Sequence, residues 1–182
     1  MAVKLKQGDR VKWQIGRGET TGKITQKITE STTVDGKNIT ATKNQPRYLV
    51  ENDNTGNVTA HRAKSLSRID DSKFKPEQKE ILNDFDEAVN MSASEIKKWL
   101  KTEESSSVGQ KDKKGKIKGR KSGKKIVKIL QKDPSEYKKK DFKHMKKVVS
   151  YVHRHLAQKP SGDIEDTPWR YSLMNWGNDP LK

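Results

Sequence analysis

Cysteine is absent from this 182-residue chain. That excludes disulfide staples, thiolate nucleophiles and every zinc site built on sulfur, and it is compatible with a reducing compartment. Long apolar runs are missing as well. The longest clusters, Ile126 to Leu130 and Val148 to Val152, are short and interrupted by Lys128 and Ser150, whereas a membrane-spanning helix needs roughly 20 apolar residues. The start, Met1-Ala-Val-Lys-Leu-Lys, carries no secretory apolar core. Apolar residues make up only 29% of the chain and aromatic ones 6%, so two small cores are expected in place of one large one. Acid is scarce relative to base: 24 Asp and Glu stand against 40 Lys and Arg, a formal charge of +16. A soluble, non-secreted protein with a polyanionic partner is the expectation.

The base is concentrated. Lys111, Lys113, Lys114, Lys116, Lys118, Arg120, Lys121, Lys124, Lys125 and Lys128 face one acid, Asp112, so this stretch holds +9 of the +16. Gly115, Gly119 and Gly123 punctuate it with almost no apolar residue between them. The expectation is therefore a mobile, solvated loop over 105–121 leading into a helix, able to wrap a phosphate backbone and release counterions. Hydration alone is the competing explanation of a lysine run.

Residues 1–69 carry strand signals. Asp9 to Gln14 alternates around Val11 and Trp13, Gly16-Arg17-Gly18 supplies a turn, and Thr20 to Ile28 resumes the pattern. Thr32 to Val34 and Lys37 to Ala41 flank Asp35-Gly36, a type I′ hairpin signal, and Tyr48 to Glu51 and Asn57 to Arg62 flank Asp53-Asn54-Thr55-Gly56. Short strands within so few residues predict a small, nearly closed barrel, with Ala63 to Ile69 closing it. The order Lys6-Gln-Gly-Asp-Arg-Val-Lys-Trp13, Gly22-Lys-Ile24, Thr33-Val-Asp-Gly-Lys37, Tyr48-Leu-Val50 and His61-Arg-Ala-Lys-Ser-Leu66 resembles the hypervirulence-associated Tudor family of bacteria and fungi. That resemblance implies an SH3-like barrel.

From Pro76 the period changes. Residues 70–77 read as a linker, and Ile81, Leu82, Phe85, Ala88 and Val89 then make one helical stripe. Ser92-Ala-Ser-Glu95 is a capping box ahead of Ile96, Trp99 and Leu100. A third helix is expected around Ile126 to Leu130, ending before Pro134, and a longer fourth carries Phe142, Met145, Val148, Val149, Val152 and Leu156. Thr167 and Pro168 read as N-cap and first residue of a fifth, with Trp169, Leu173 and Trp176 on one face. The fold class expected is α+β in two domains: a barrel over 1–69, then a helical bundle over 78–182. Trp99 to Gly109, His144-Met145, Tyr151 to Pro160 and Trp169 to Gly177 are similar to a second, uncharacterised bacterial and fungal family, some members of which carry a DNA-binding label. With no secretory or spanning segment read, the location expected is cytoplasmic or nucleoid-associated in a bacterium, and cytoplasmic or nuclear in a fungus.

On the fourth helix Lys143, Lys147, Ser150 and Arg154 fall at i, i+4, i+7 and i+11, opposite the apolar stripe and flanked by Lys139, Lys140 and Lys146. Such a face can lie along phosphates; a plain solvated surface is the bland alternative. The stretch between Asp133 and Lys139 is too long for a helix-turn-helix turn, and lysine is a point-charge donor suited to phosphate more than to base edges. Gly115-Lys-Ile-Lys-Gly-Arg-Lys-Ser122 imitates a Walker loop, but it has three residues between its glycines, an extra Arg before the Lys and no preceding strand. His153 and His155, two apart on a helix, face different directions, and Asp163, Glu165 and Asp166 precede a helix start, where acids act as caps. No metal, cofactor or enzyme is expected. In the barrel, the Tudor resemblance implies that Trp13, Tyr48 and His61 form part of an aromatic cage for a methylated lysine or arginine, with core packing the stronger expectation for Trp13 and Tyr48. The function expected is non-enzymatic association with DNA, or RNA as the other polyanion, with little sequence preference. The alternative is an adaptor whose barrel binds a peptide or protein.

Overall fold

A computed structural model describes residues 5–16, 18–70 and 72–182. Residues 1–4, the Arg17 of the expected first turn and the Asp71 of the expected linker lie outside the described residues. The chain divides into two units, Met1–Asp70 and Asp71–Lys182.

The first unit is built from β1 (Arg10–Ile15), β2 (Gly18–Ile28), β3 (Thr32–Val34), β4 (Lys37–Ile39), β5 (Arg47–Asn52), β6 (Val58–Arg62) and β7 (Ser67–Arg68). Five of these form one antiparallel sheet in the order β6-β5-β2-β1-β7, and β3 and β4 form a separate hairpin. Asp35 and Gly36 turn that hairpin with φ of 48° and 73°, the pair of positive values that a type I′ turn demands. A one-turn 3₁₀ helix, Ala63–Ser65, swings the chain from β6 across to β7, which pairs with Val11 and Lys12 of β1 and closes the SH3-like barrel. Alternation places Tyr48 and Val50 of β5 in the main core with Leu5, Val11, Trp13, Ile24 and Leu66. Leu49, pointing the other way, joins Ile28 and Ala41 in a smaller cluster with the β3–β4 hairpin.

The second unit contains α1 (Pro76–Ala88), α2 (Ala93–Trp99), α3 (Glu103–Ser107), α4 (Lys118–Leu130), α5 (Lys139–Leu156) and α6 (Pro168–Met174). Its core is continuous, with Phe85, Ile96, Ile126, Met145, Val148, Val152 and Leu173 sealed. The caps form as the sequence signals: Ser92 Oγ accepts from the Glu95 N–H while Glu95 Oε2 accepts from the Ser92 N–H, and Thr167 Oγ1 accepts from the Arg170 N–H ahead of Pro168. The expected linker of 70–77 is not free chain, because Phe74 is buried in the helical core, edge-on to Phe142 at 5.6 Å.

The expected mobile loop over 105–121 is the main correction. Ser105 to Ser107 belong to α3, and the chain then makes a tight turn over Asp112–Gly115, bridged between Lys111 and Ile117. Asp112 holds this turn, accepting from the N–H groups of Lys114 and Lys116 at 2.9 Å and pairing with Lys121. The helix expected from about Ile126 begins eight residues earlier, at Lys118. Its glycines serve close approach. A Cβ on Gly119 would sit 3.0 Å from the Asn175 Cβ, and one on Gly123 would sit 2.9 Å from the Asn175 carbonyl oxygen. Gly119, Ser122, Gly123, Ile126, Val127 and Leu130 thus form one buried face of small and apolar residues, which a count of apolar residues alone does not register.

The segment from α6 onward stitches back to α1 and α2. The Met91 N–H donates to the Gly177 carbonyl, Asn178 Nδ2 to the Ala88 carbonyl, and Asn90 and Asp179 exchange two hydrogen bonds of 2.8 Å. Lys182 pairs with Glu95 at 3.0 Å.

Candidate functional site

Lysines of α4 and α5 converge on one groove of the helical unit. Lys118, Lys121 and Lys125 come from α4 at i, i+3 and i+7, and Lys140, Lys143 and Lys147 come from α5 at the same spacing. Ser122, His144 and Trp176 complete the lining, and no carboxylate contributes to it. The α4 end of the groove carries extra positive potential: that helix opens with no capping side chain and with Lys118, Arg120 and Lys121 in its first turn where acids would ordinarily sit. His144 lies among these lysines. Its pKa is lowered first by burial and then by Lys125 and Lys147, against the raising effects of Ser122 and Asp141. The Ser122 Oγ lies 3.2 Å from His144 Nε2. The nearest carboxylate on the helix, Asp141, is engaged elsewhere, accepting from Lys132 Nζ at 2.8 Å and the Lys138 N–H at 2.9 Å.

Not every cation of the run reaches the groove. Arg120 turns inward, donating to Ser105 Oγ at 2.8 Å and the Leu100 carbonyl at 2.9 Å. Lys121 lines the groove but shares its charge with Asp112, whose pKa is lowered to about 2 by that Lys121 contact and by backbone N–H groups. Lys111, Lys113, Lys114 and Lys116 are exposed on the preceding turn, and Lys124 and Lys128 are exposed on α4 outside the groove lining. Arg154 lies further along α5, in a second cavity next to the groove. That bowl, about 660 Å³, is lined by Gln110, Ser150, Tyr151, Arg154 and His155 among others, and it shares Lys118, Lys147 and Trp176 with the groove.

Under the bowl lies a feature that residue spacing did not reveal, four rings packed nearly parallel. Trp176 stacks on Tyr151 at 4.1 Å, Tyr151 on His155 at 5.2 Å and His155 on Trp169 at 5.8 Å. Lys147 Nζ stands 5.9 Å from the Trp176 ring centre. His155 is half-buried in this stack, while His153 is exposed, so the two face different directions as their spacing predicts. Beside the stack, a buried asparagine has an architectural role. Asn175, 1% exposed, accepts from Trp99 Nε1 at 3.1 Å and Ser105 Oγ at 2.6 Å, and donates to the Ser105 carbonyl at 3.0 Å. Residues 84–174, half of the chain, match the family described as a protein of unknown function, DUF3140. The chain belongs to that family. In this DUF3140 member the matched residues include Tyr151, His155 and Trp169 of the ring stack, while Trp176 and the Asn175 lock follow directly after the match. No curated protein and no solved structure matches the chain.

Residues 8–66 match the hypervirulence associated proteins TUDOR domain, which suggests that the barrel is a protein-interaction module. Trp13 and Tyr48 are only 6% and 5% exposed. They are core residues and do not wall an open cage. His61 covers Trp13 at 4.9 Å, bonds Thr59 Oγ1 at 2.7 Å, and has its pKa lowered by burial.

Proposed function

We propose that this chain associates with DNA through the phosphate backbone, without turnover and with little reading of sequence. The groove between α4 and α5 is the observation that carries this: six lysines and no carboxylate line one channel. Ammonium groups act as point charges towards phosphate, whereas base readout favours the planar forks and amides of Arg, Asn and Gln. Lys125 and Lys147 add to the burial that lowers the pKa of His144, and a channel lined by charge of one sign concentrates a polyanion.

If all six lysines neutralise phosphates, the logarithm of affinity for duplex DNA falls with the logarithm of salt concentration at a slope of about −5. Replacing both Lys125 and Lys143 by Ala flattens that slope by about 2. Fluorescence anisotropy titrations across a salt series measure both quantities, and an affinity indifferent to salt rejects the proposal. Repeating the series with RNA separates the two polyanions.

A second reading rests on the barrel. β6 ends the sheet order, and a sheet edge can accept an added strand from a peptide. Pull-down with and without nuclease distinguishes the two readings, because a partner bound through the barrel survives the nuclease.

A further inference from the structure

We propose that the bowl beside the lysine groove seats a single nucleotide whose base is unpaired, the phosphate lying at Lys118, Lys147 and the Trp176 indole N–H. The inference rests on the phosphate-binding reading of the adjoining groove and goes beyond it, because a site for an unpaired base separates strand ends and single strands from intact duplex.

Three observations converge. The first is an uncovered donor. Trp99 Nε1 donates to Asn175 and Trp169 Nε1 to the His155 carbonyl, but among the described residues Trp176 Nε1 has no acceptor, in a residue that is 5% exposed overall. It lies beside Gly119, where a Cβ would come within 3.1 Å of the nitrogen. A side chain at 119 would cover this nitrogen, and Gly119 and Trp176 both line the bowl. The second is charge. Lys118, Lys147 and Arg154 line the bowl and no carboxylate does, and the uncapped first turn of α4 forms part of its wall through Lys118 and Gly119. The third is size and polarity. A volume of about 660 Å³ falls in the range of small-molecule sites. Beyond the cations the lining offers Gln110, Gln158 and Ser150, each able to donate and accept towards a base edge or a sugar hydroxyl. A base in a duplex is stacked and paired and cannot enter such a bowl, whereas an unpaired one can.

The chemistry, one phosphate and one free base, is common to a free mononucleotide and to the unpaired end of a strand. The groove leading into the bowl favours the strand. The test uses the full chain, with thymidine 5′-monophosphate, a blunt DNA duplex and the same duplex carrying a short single-stranded overhang as probes. The Trp176 indole N–H resonance, assigned by its loss in Trp176→Phe, is expected to shift with the monophosphate, and the overhang is expected to tighten binding about tenfold over the blunt duplex. Ser150→Phe, an exposed change on α5 that fills the bowl and removes no charge, is expected to abolish both effects. A shift without an overhang gain assigns the bowl to free nucleotides and overturns the strand source. No shift and no gain, with blunt duplex still bound, overturns the bowl and leaves the phosphate reading standing. Failure to bind blunt duplex at low salt overturns the phosphate reading itself.

Discussion

At the scale of single residues, Asn175 and Gly123 hold the α4 side of the helical unit together. Asn175→Ala leaves the Trp99 indole N–H and the Ser105 hydroxyl without their shared acceptor inside the core. Each such group costs about 1–3 kcal/mol, so a loss of about 2–5 kcal/mol is expected, readable as a lowered denaturation midpoint. At Gly123 two effects oppose. Alanine gains about 1 kcal/mol of helix propensity, but its Cβ would meet the Asn175 carbonyl oxygen at 2.9 Å. That atom belongs to the backbone and cannot swing aside, and overpacking of this kind costs about 1–3 kcal/mol. Gly123→Ala should therefore destabilise by about 1 kcal/mol, in a position where the propensity scale alone predicts a gain.

At the scale of elements, the pairing of α4 with α5 makes stability and binding respond oppositely to pH. His144 lies among Lys125, Lys147, Asp141 and Ser122 with a lowered pKa, and burial likewise lowers those of His61 and His155. The unfolded chain, with histidine near 6.5, then binds more protons than the folded one. The contribution of these residues is complete above about pH 6.5 and is lost as pH falls towards the folded values. Denaturation midpoints should drop between about pH 7.5 and 5.5. A phosphate in the groove offsets the lysine field and favours protonated His144, so DNA affinity should rise over the same fall in pH, and His144→Gln should remove most of that rise.

What the sequence disclosed divides along the same lines. Locally encoded features, such as the Asp35-Gly36 turn, the Ser92–Glu95 box and the Thr167-Pro168 helix start, could be read because the residues that form them are adjacent. The spacing of Lys143 and Lys147 was legible for the same reason. The facing set, Lys118, Lys121 and Lys125, was visible as charge but could not be placed on a helix. Gly119 and Gly123 look like breaks in helical periodicity until Asn175 and Trp176, more than fifty residues later, are seen packed against them. The ring stack was hidden in the same way, since Trp169 and Trp176 meet Tyr151 and His155 only after α6 folds back on α5.

At the scale of the whole molecule, the charge is divided between two units, with +10 of the +16 in residues 71–182. If the groove is the binding surface, residues 71–182 alone should reproduce the salt slope of the full chain to within about 1. A slope cut in half would move the binding surface to the barrel. The helical unit, for its part, is completed only by its own last segment. The segment after α6 that fastens to Asn90, Met91 and Glu95 leaves the ribosome after every helix it secures. Until Asn175 and Trp176 emerge, Gly119 lacks its neighbours and Gly123 has only Leu100 to rest against, and a nascent chain dense in lysine waits with part of its core open. A message truncated a few codons short of that clasp should therefore yield a chaperone client or a protease substrate and not a weakened protein.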